Sequence, residues 1–454
     1  MPSISVNYNP AMTRYLGEAG YFRDDPVTII DVGARGGFRG EWGAFGAALK
    51  LIGFEPEETE CARLNADAPS NVRYLPVALG RQNGSAVLYE AQLNYSSGLY
   101  RTNMEYFSRL LNRANGEVVG EHVISVSTLD TALERAGIPS ADFIKLDAEG
   151  AELDILEGAP AFVGNPGLIG IFSEFRFQEE INGCPIFWQL DSYVRRFGFH
   201  LYGLGFSHQS RHVLPYGGLP ETEHMRYTAL PKGMQFFAAT THGQIMDGDA
   251  LYFRDLLIPA NAAVRQRATP IRLLKTAAFL ELYCLSDCAA EVILAHREIL
   301  APVVDCDRLL DLLTPAFRGV SVGYKGYMKA YFQPDTAPVP PPPVEEAWDF
   351  DLLSHHVRAH LRSKRGDRIV CFGAGSDFRR LVEAGVFRDN PIVAVVDNIR
   401  HPGETVSGVP VVRETDLANL DFDMVVATSA RVGPQFRAQA ALWAMKSFRD
   451  VPIV

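Results

Sequence analysis

Pro338 and Pro340 through Pro343, in the segment QPDTAPVPPPPVEEA, limit this chain's folding options more than any other feature. Proline has no amide hydrogen and a locked φ. Neither a helix nor a sheet can pass through such a run, which predicts a semi-rigid polyproline II spacer. The 454 residues should therefore divide into a large unit before the spacer and a small one after it. That division suits a length of about three domains at ~150 residues each.

Hydrophobic residues make up 47% and charged residues 21%, a balance that excludes a wholly disordered chain. No apolar run reaches the ~18 residues of a membrane span. The opening MPSISVNYNPAMTRYLGEAG lacks a basic-then-apolar secretory pattern, so a cytoplasmic location is expected. The net charge of −11 argues against a protein that coats nucleic acid. Cys61, Cys184, Cys284, Cys288, Cys306 and Cys371 are scattered without a CxxC pair, which fits a reducing compartment. Cys284 and Cys288 fall on one face of an expected helix. They read as buried small side chains rather than metal ligands, because no partner follows at a zinc spacing.

Short apolar runs alternate with helical patterns before the spacer. VTIIDVG, the end of ALKLIGFEP, NVRYLPVAL, DFIKLD, GLIGIFSEF, FGFHLYGL and MQFFAAT read as strands, and SAVLYEA with HVISVS as a hairpin-like pair. Helices are expected over 151–159 and 187–197. This alternation predicts an α/β fold with a largely parallel sheet. Residues 248–332, from DALYFRDLL through DRLLDLLTPAF, read as mostly helical. The expected divisions are a first domain over 1–245, a helical extension over 246–333, a linker over 334–347 and a small Rossmann-like domain over 348–454.

DVGARGG places Asp31, Gly33, Gly36 and Gly37 where the first strand gives way to a loop. Glycines there permit positive φ and let backbone amides approach a ligand beyond the carboxyl ends of the strands. The next strand ends at Glu55, where a carboxylate can accept two hydrogen bonds from a ribose diol, so the pair predicts an adenosine-containing ligand. The spacing Gly33-Ala-Arg-Gly36 is not that of a dinucleotide fingerprint. Asp31 beside the loop would repel a pyrophosphate and suit the cationic S-adenosylmethionine.

DVGARGG, GFEPEE, PVALG, NYSSGL, VSTLD and, most specifically, FIKLDAEGAELDILEGA resemble the FkbM family of S-adenosylmethionine-dependent methyltransferases, over roughly 27–240. The resemblance implies a class I seven-stranded sheet and O-methylation of a hydroxyl, commonly on a sugar or glycan. It implies that Asp31, Gly33 and Gly37 line the methionine part of the cofactor and that Glu55 binds its ribose. Val77 and Ala78 would flank the adenine, and Ser96 and Ser97 match a Ser-Ser pair near the site. The sequence departs from the family at Arg35, where a small polar residue such as Asn is usual.

Methyl transfer to an alcohol needs alignment, exclusion of water and a base. Asp147 and Glu149 are the candidate catalytic carboxylates, with Glu149 expected to open the next helix. Glu152 is expected only to cap that helix, and Glu174 to contact substrate. No dedicated metal cage is evident. His208, His212 and His224 are not ranked as ligands. Arg195 and Arg196 read as a solvated helix face.

After the spacer, RIVCFGAGS, IVAVVDN and DFDMVVATSA read as strands, with FRRLVEAGVF and PQFRAQAALWAM as helices and DVPIV closing the chain. Gly373, Gly375 and Asp397 form a candidate second site for a nucleotide or nucleotide sugar, although Phe378 stands where a third fingerprint glycine would be. Two other functions stay open beside methyl transfer: a nucleotide-sugar docking protein with an inert first unit, and a nicotinamide-dependent enzyme. The expected partner is a small-molecule or glycan acceptor, with no nucleic acid and no membrane span; homo-oligomerisation is left open.

Overall fold

The computed structural model describes residues 4–93, 96–216, 242–317, 320–333, 357, 361, 366–373, 375–397 and 404–428. The chain divides into two compact units, Met1–Pro338 and Val339–Val454.

Among the described residues the first unit carries ten strands: β1 (Val27–Val32), β2 (Leu49–Phe54), β3 (Val72–Leu75), β4 (Ala78–Leu79), β5 (Gly84–Ala91), β6 (Val118–Ser127), β7 (Phe143–Leu146), β8 (Gly170–Arg176), β9 (Phe199–Gln209) and β10 (Gln244–Arg254). Seven of them form one sheet in the order β3-β2-β1-β7-β8-β10-β9. The five strands from β3 to β8 are parallel, and β10 runs antiparallel to β8 and β9. This is the class I methyltransferase fold. Its strands are continuous apolar runs because both faces are covered. Ile29, Leu51 and Phe143 enter one core, while Ile30, Ile52 and Ile144 enter the other.

The helix Pro270–Leu282 lies in the first core, where Phe279 stacks on Phe143 at 4.8 Å between ring centroids. The opposite face is covered by Leu129–Ala136, Glu152–Glu157 and Phe187–Arg195. β5 and β6 pair antiparallel, as the hairpin reading expected, and β4 joins them in a separate three-stranded sheet.

Three readings are corrected. NVRYLPVAL is not one strand: it breaks at Pro76, which has no amide to donate, and Ala78–Leu79 joins the hairpin sheet instead. DALYFRD is not helical but belongs to β10. Its residues sort with period two, Ala250 and Tyr252 into one core and Leu251 and Phe253 into the other. The expected boundary at 245/246 therefore cuts the strand that completes the sheet. Finally, Cys284 does not share a helix with Cys288. It sits at φ 60° in the turn between Pro270–Leu282 and Ser286–Ala295, where it is exposed while Cys288 is half-buried. The run MQFFAAT and the linker over 334–347 lie outside the described residues.

The second unit holds β11 (Ile369–Phe372), β12 (Ile392–Val396), β13 (Thr405–Val406), β14 (Val409–Val412) and β15 (Met424–Ala427) in the order β13-β14-β12-β11-β15. β11, β12, β14 and β15 are parallel. The helix Ser376–Glu383 connects β11 to β12. PQFRAQAALWAM and DVPIV lie outside the described residues. Among the described residues no helix is long and apolar enough to cross a membrane.

Candidate active site

The carboxyl ends of β1, β2, β7 and β8 share one edge of the first sheet. Because β10 is antiparallel, it brings its beginning to that edge, with Asp247 opposite Arg176 and Asp249 opposite Glu174. Charged side chains collect there.

Asp31 and Lys145 are register partners on neighbouring strands and so point the same way. The buried Lys145 Nζ lies 3.2 Å from both Asp31 Oδ1 and Asp147 Oδ2. It also donates to the carbonyls of Val32 and Gly33. Burial pushes the Asp31 carboxyl up to about 6, against the pull of Lys145.

Gly33, at φ 75°, has no alternative: a Cβ there would fall on the carbonyl oxygen of Asp147. Gly36, at φ 79°, borders open space, and Gly37 packs near Leu64 and the Tyr74 hydroxyl. The expectation of free loop amides is corrected. Gly33 and Ala34 N–H donate to Phe54 O, Gly36 N–H to Glu60 Oε1, and Gly37 N–H to Ala34 O. What this loop offers a ligand is therefore space at Gly36 and the carboxylate beneath it.

Glu55 is 3% exposed and accepts from the Glu57 amide. Burial raises its pKa. The Arg35 guanidinium stands 3.8 Å from Glu55 and 3.0 Å from Glu57, so the residue that departs from the family pattern reaches the candidate ribose acid. The Glu55 amide donates to Leu75 O, which brings Val77 and Ala78, just past β3, to the same edge. Ser97 accepts from the Ala91 amide and so shapes its loop. The next residue, Gly98, abuts Glu149: a Cβ there would lie 2.9 Å from its carbonyl oxygen.

Glu149 does not open a helix. It sits at φ 51° in the loop before Glu152–Glu157, a left-handed conformation that is costly for a residue with a Cβ. Glu152 holds this loop by accepting from the Ala148 and Gly150 amides, which precede the helix that it was expected to cap. Glu149 Oε2 lies 2.7 Å from Arg176, which also reaches Glu174 at 2.7 Å and Glu180 at 3.6 Å. Burial, resisted by Arg176 and reinforced by Asp147, pushes Glu149 up to about 8. Burial likewise raises Glu174 well above the usual carboxylate range, and Asp249 to about 7.

One oxygen each from Asp147, Glu149 and Glu174 lies within 4.8 Å of the others. Such a set can hold a hard divalent cation. Arg176 already offsets the charge of two of the three, so the cluster does not require one.

Sequence reasoning named Asp147, Glu149 and Glu174 but missed Arg176 as the shared partner of the two glutamates and Lys145 as the partner of Asp147. It also missed Asp247 and Asp249, which were hidden by reading β10 as helix. The short length of the apolar run ALYF, too brief for a helix of its own, was the available signal. Arg195 pairs with Asp191 one turn earlier on the same helix.

In the second unit, Gly373 (φ 102°) and Gly375 follow β11, and Asp397 follows β12, so the three reach one edge. Thr428 donates to the carbonyls of Phe372 and Gly373.

The family model described as Methyltransferase FkbM domain matches residues 31–201, from Asp31 in β1 into β9. Residues 31–201 are thus similar to a FkbM methyltransferase domain, a match that covers less than half of the chain. Among solved structures, the crystal structure of a SAM-dependent methyltransferase from Agrobacterium tumefaciens is similar at 10% identity and a TM-score of 0.24. The match covers 55% of this chain and 63% of that one, so the chain spans less than two thirds of that protein's length. No curated protein matches.

Proposed function

We propose that the first unit transfers a methyl group from S-adenosylmethionine to a hydroxyl of a sugar, glycan or other small metabolite. The observation that carries this reading is one edge of a class I sheet, within the FkbM match, where a glycine loop over a buried acid adjoins a carboxylate of raised proton affinity. When bound, S-adenosylmethionine supplies a methyl group made electrophilic by its sulfonium.

The residues fit that cofactor at three points. Gly36 leaves open space, Asp31 offers negative charge to a cation, and Glu55 would hold the ribose diol. Asp31, Gly33, Gly36 and Gly37 would face the methionine part, and Val77 and Ala78 the adenine. Ser97 supports the loop at Glu149.

Glu149 accepts the proton that the acceptor hydroxyl loses. A carboxylate with a pKa near 8 suits a base working close to neutral pH. Arg176 fixes its orientation, while Asp147, held by Lys145, and Glu174 line the acceptor side.

The test is transfer of a labelled methyl from S-adenosylmethionine to a library of sugars, glycans and nucleotide sugars by the full chain. Turnover that disappears in Glu149→Gln supports the reading. Failure to bind S-adenosylmethionine, together with nucleotide-sugar binding, would overturn it in favour of a docking protein.

A further inference from the structure

A second charged feature of opposite sign adjoins the carboxylate edge. The stretch after the helix Met104–Phe107 runs beside the stretch after β9. Leu110 bridges Arg211 antiparallel, Leu111 N–H donates to Ser210 O at 3.0 Å, and His212 N–H donates to Arg109 O at 3.2 Å. This pairing sets Arg109 and Arg211 side by side. Their guanidinium carbons lie 5.8 and 5.3 Å from the centroid of the Tyr106 ring.

Arg211 donates to Gln244 through Nη2, but its Nη1 is buried with no hydrogen-bond partner. Neither guanidinium is ion-paired with a carboxylate among the described residues. A buried charged donor left without an acceptor is costly, and the exposed Arg109 guanidinium beside it is the part of the pair open to an anion.

The location is tied to the active site residue by residue. The Tyr106 hydroxyl donates to Met246 Sδ at 3.7 Å, and the Met246 carbonyl accepts from Phe177 N–H at 2.7 Å. The adjoining residues, Asp247 and Arg176, are register partners. Asn103, which caps the Tyr106 helix, donates its N–H to the carbonyl of Glu180, itself a partner of Arg176.

We propose that Arg109, Tyr106 and Arg211 form a subsite for an oxyanion, a phosphate or a carboxylate, carried by the methyl acceptor. The inference rests on the methyl-transfer reading and extends it to substrate class: the acceptor presents a hydroxyl to Asp147 and Glu149 and an anionic group to the arginines. Planar guanidinium forks match both oxyanions, and the aromatic face keeps them extended. Carboxylates around the reacting hydroxyl and arginines beside it orient an acceptor that carries charge at one end only.

The test measures binding of glucose 1-phosphate, glucuronate and methyl glucoside to the full chain by calorimetry, with S-adenosylmethionine binding as a separate readout. One anionic sugar should bind about tenfold or more tighter than methyl glucoside. Arg211→Gln and Arg109→Gln should each remove about tenfold of that preference and leave S-adenosylmethionine affinity unchanged. Which anion binds more tightly tells phosphate from carboxylate. Equal affinity for the three sugars, or an anion preference surviving both substitutions, overturns the subsite. Should Arg211→Gln not fold, Arg109→Gln at an exposed position carries the test. Loss of S-adenosylmethionine binding in the unaltered protein would sink the methyl-transfer reading alone, since the anion preference is read without turnover.

Discussion

The turn after β1 and the turn after β11 are built alike and charged differently. Each puts a glycine at positive φ, Gly33 at 75° and Gly373 at 102°. Each glycine amide donates to the end of the neighbouring strand, Phe54 O on β2 or Val396 O on β12. An acid follows that neighbour, Glu55 in one unit and Asp397 in the other. In both, a side chain on or just past the strand on the other side closes the turn by donating to its two carbonyls.

That side chain is where they part. In the first unit it is the Lys145 amine, which also binds Asp31 and Asp147. In the second it is the Thr428 hydroxyl, which is neutral. The βαβ geometry supplies the turn. The reaching side chain decides whether the turn joins a charged site.

The largest expected difference comes from deleting the two reaching groups. Lys145→Met leaves the buried Asp31 without its partner and should cost about 3–5 kcal/mol in denaturant unfolding of the first unit. If it cost no more than deleting the Thr428 hydroxyl, the two turns would be equivalent and the contrast would fail.

Activity separates the units next. Glu149→Gln should lower methyl transfer by about a hundredfold or more with S-adenosylmethionine affinity retained, whereas Asp397→Asn should leave the rate unchanged. A rate that followed Asp397 instead would move the chemistry to the second unit.

The acids after β2 and β12 offer a direct pair. Glu55→Ala should weaken S-adenosylmethionine binding by about 1.5–3 kcal/mol in calorimetry if Glu55 holds the ribose through charged hydrogen bonds. No change would remove Glu55 from the site.

A pH series sharpens the electrostatic contrast. Asp31 is pushed up to about 6, and Glu180 and Asp249 to about 7, in each case first by burial. The folded chain holds these protons at pH values where the unfolded chain has released them. The first unit's melting temperature should therefore fall as pH rises from the ordinary carboxylate range through about 7. A rise over that window would mean these groups are ionised in the fold.

The smallest effect is expected from Thr428→Val, about 1 kcal/mol from two neutral hydrogen bonds to carbonyls. It should leave S-adenosylmethionine binding untouched.

Much of this site is legible along the chain because strand periodicity and glycine turns are local. DVGARGG, the acid after the next strand and the FIKLDAEG run place Asp31, Gly33, Glu55, Lys145, Asp147 and Glu149 at strand ends before any packing is considered. The helical reading of Gly248–Asp255 failed for a related reason. An apolar run buried on both faces lacks the polar alternation that marks a strand, and its neighbours β8 and β9 come from distant sequence. Arg176 and Arg211 look alike as letters. Only their surroundings separate a guanidinium clasped by carboxylates from one with a buried N–H unmet.

The sequence by itself determined the split at the proline run, the α/β character of the first unit and the residues at the ends of its early strands, because backbone chemistry and short-period patterning act within a few residues. The tertiary structure alone decided that β10 enters the sheet between β8 and β9, that Pro76 diverts the chain into a second sheet, and that Glu149 meets Glu174 and Glu180 around Arg176. Charge pairing acts through space between segments far apart in the chain, and a charged side chain carries no mark of its partner until folding brings the two together.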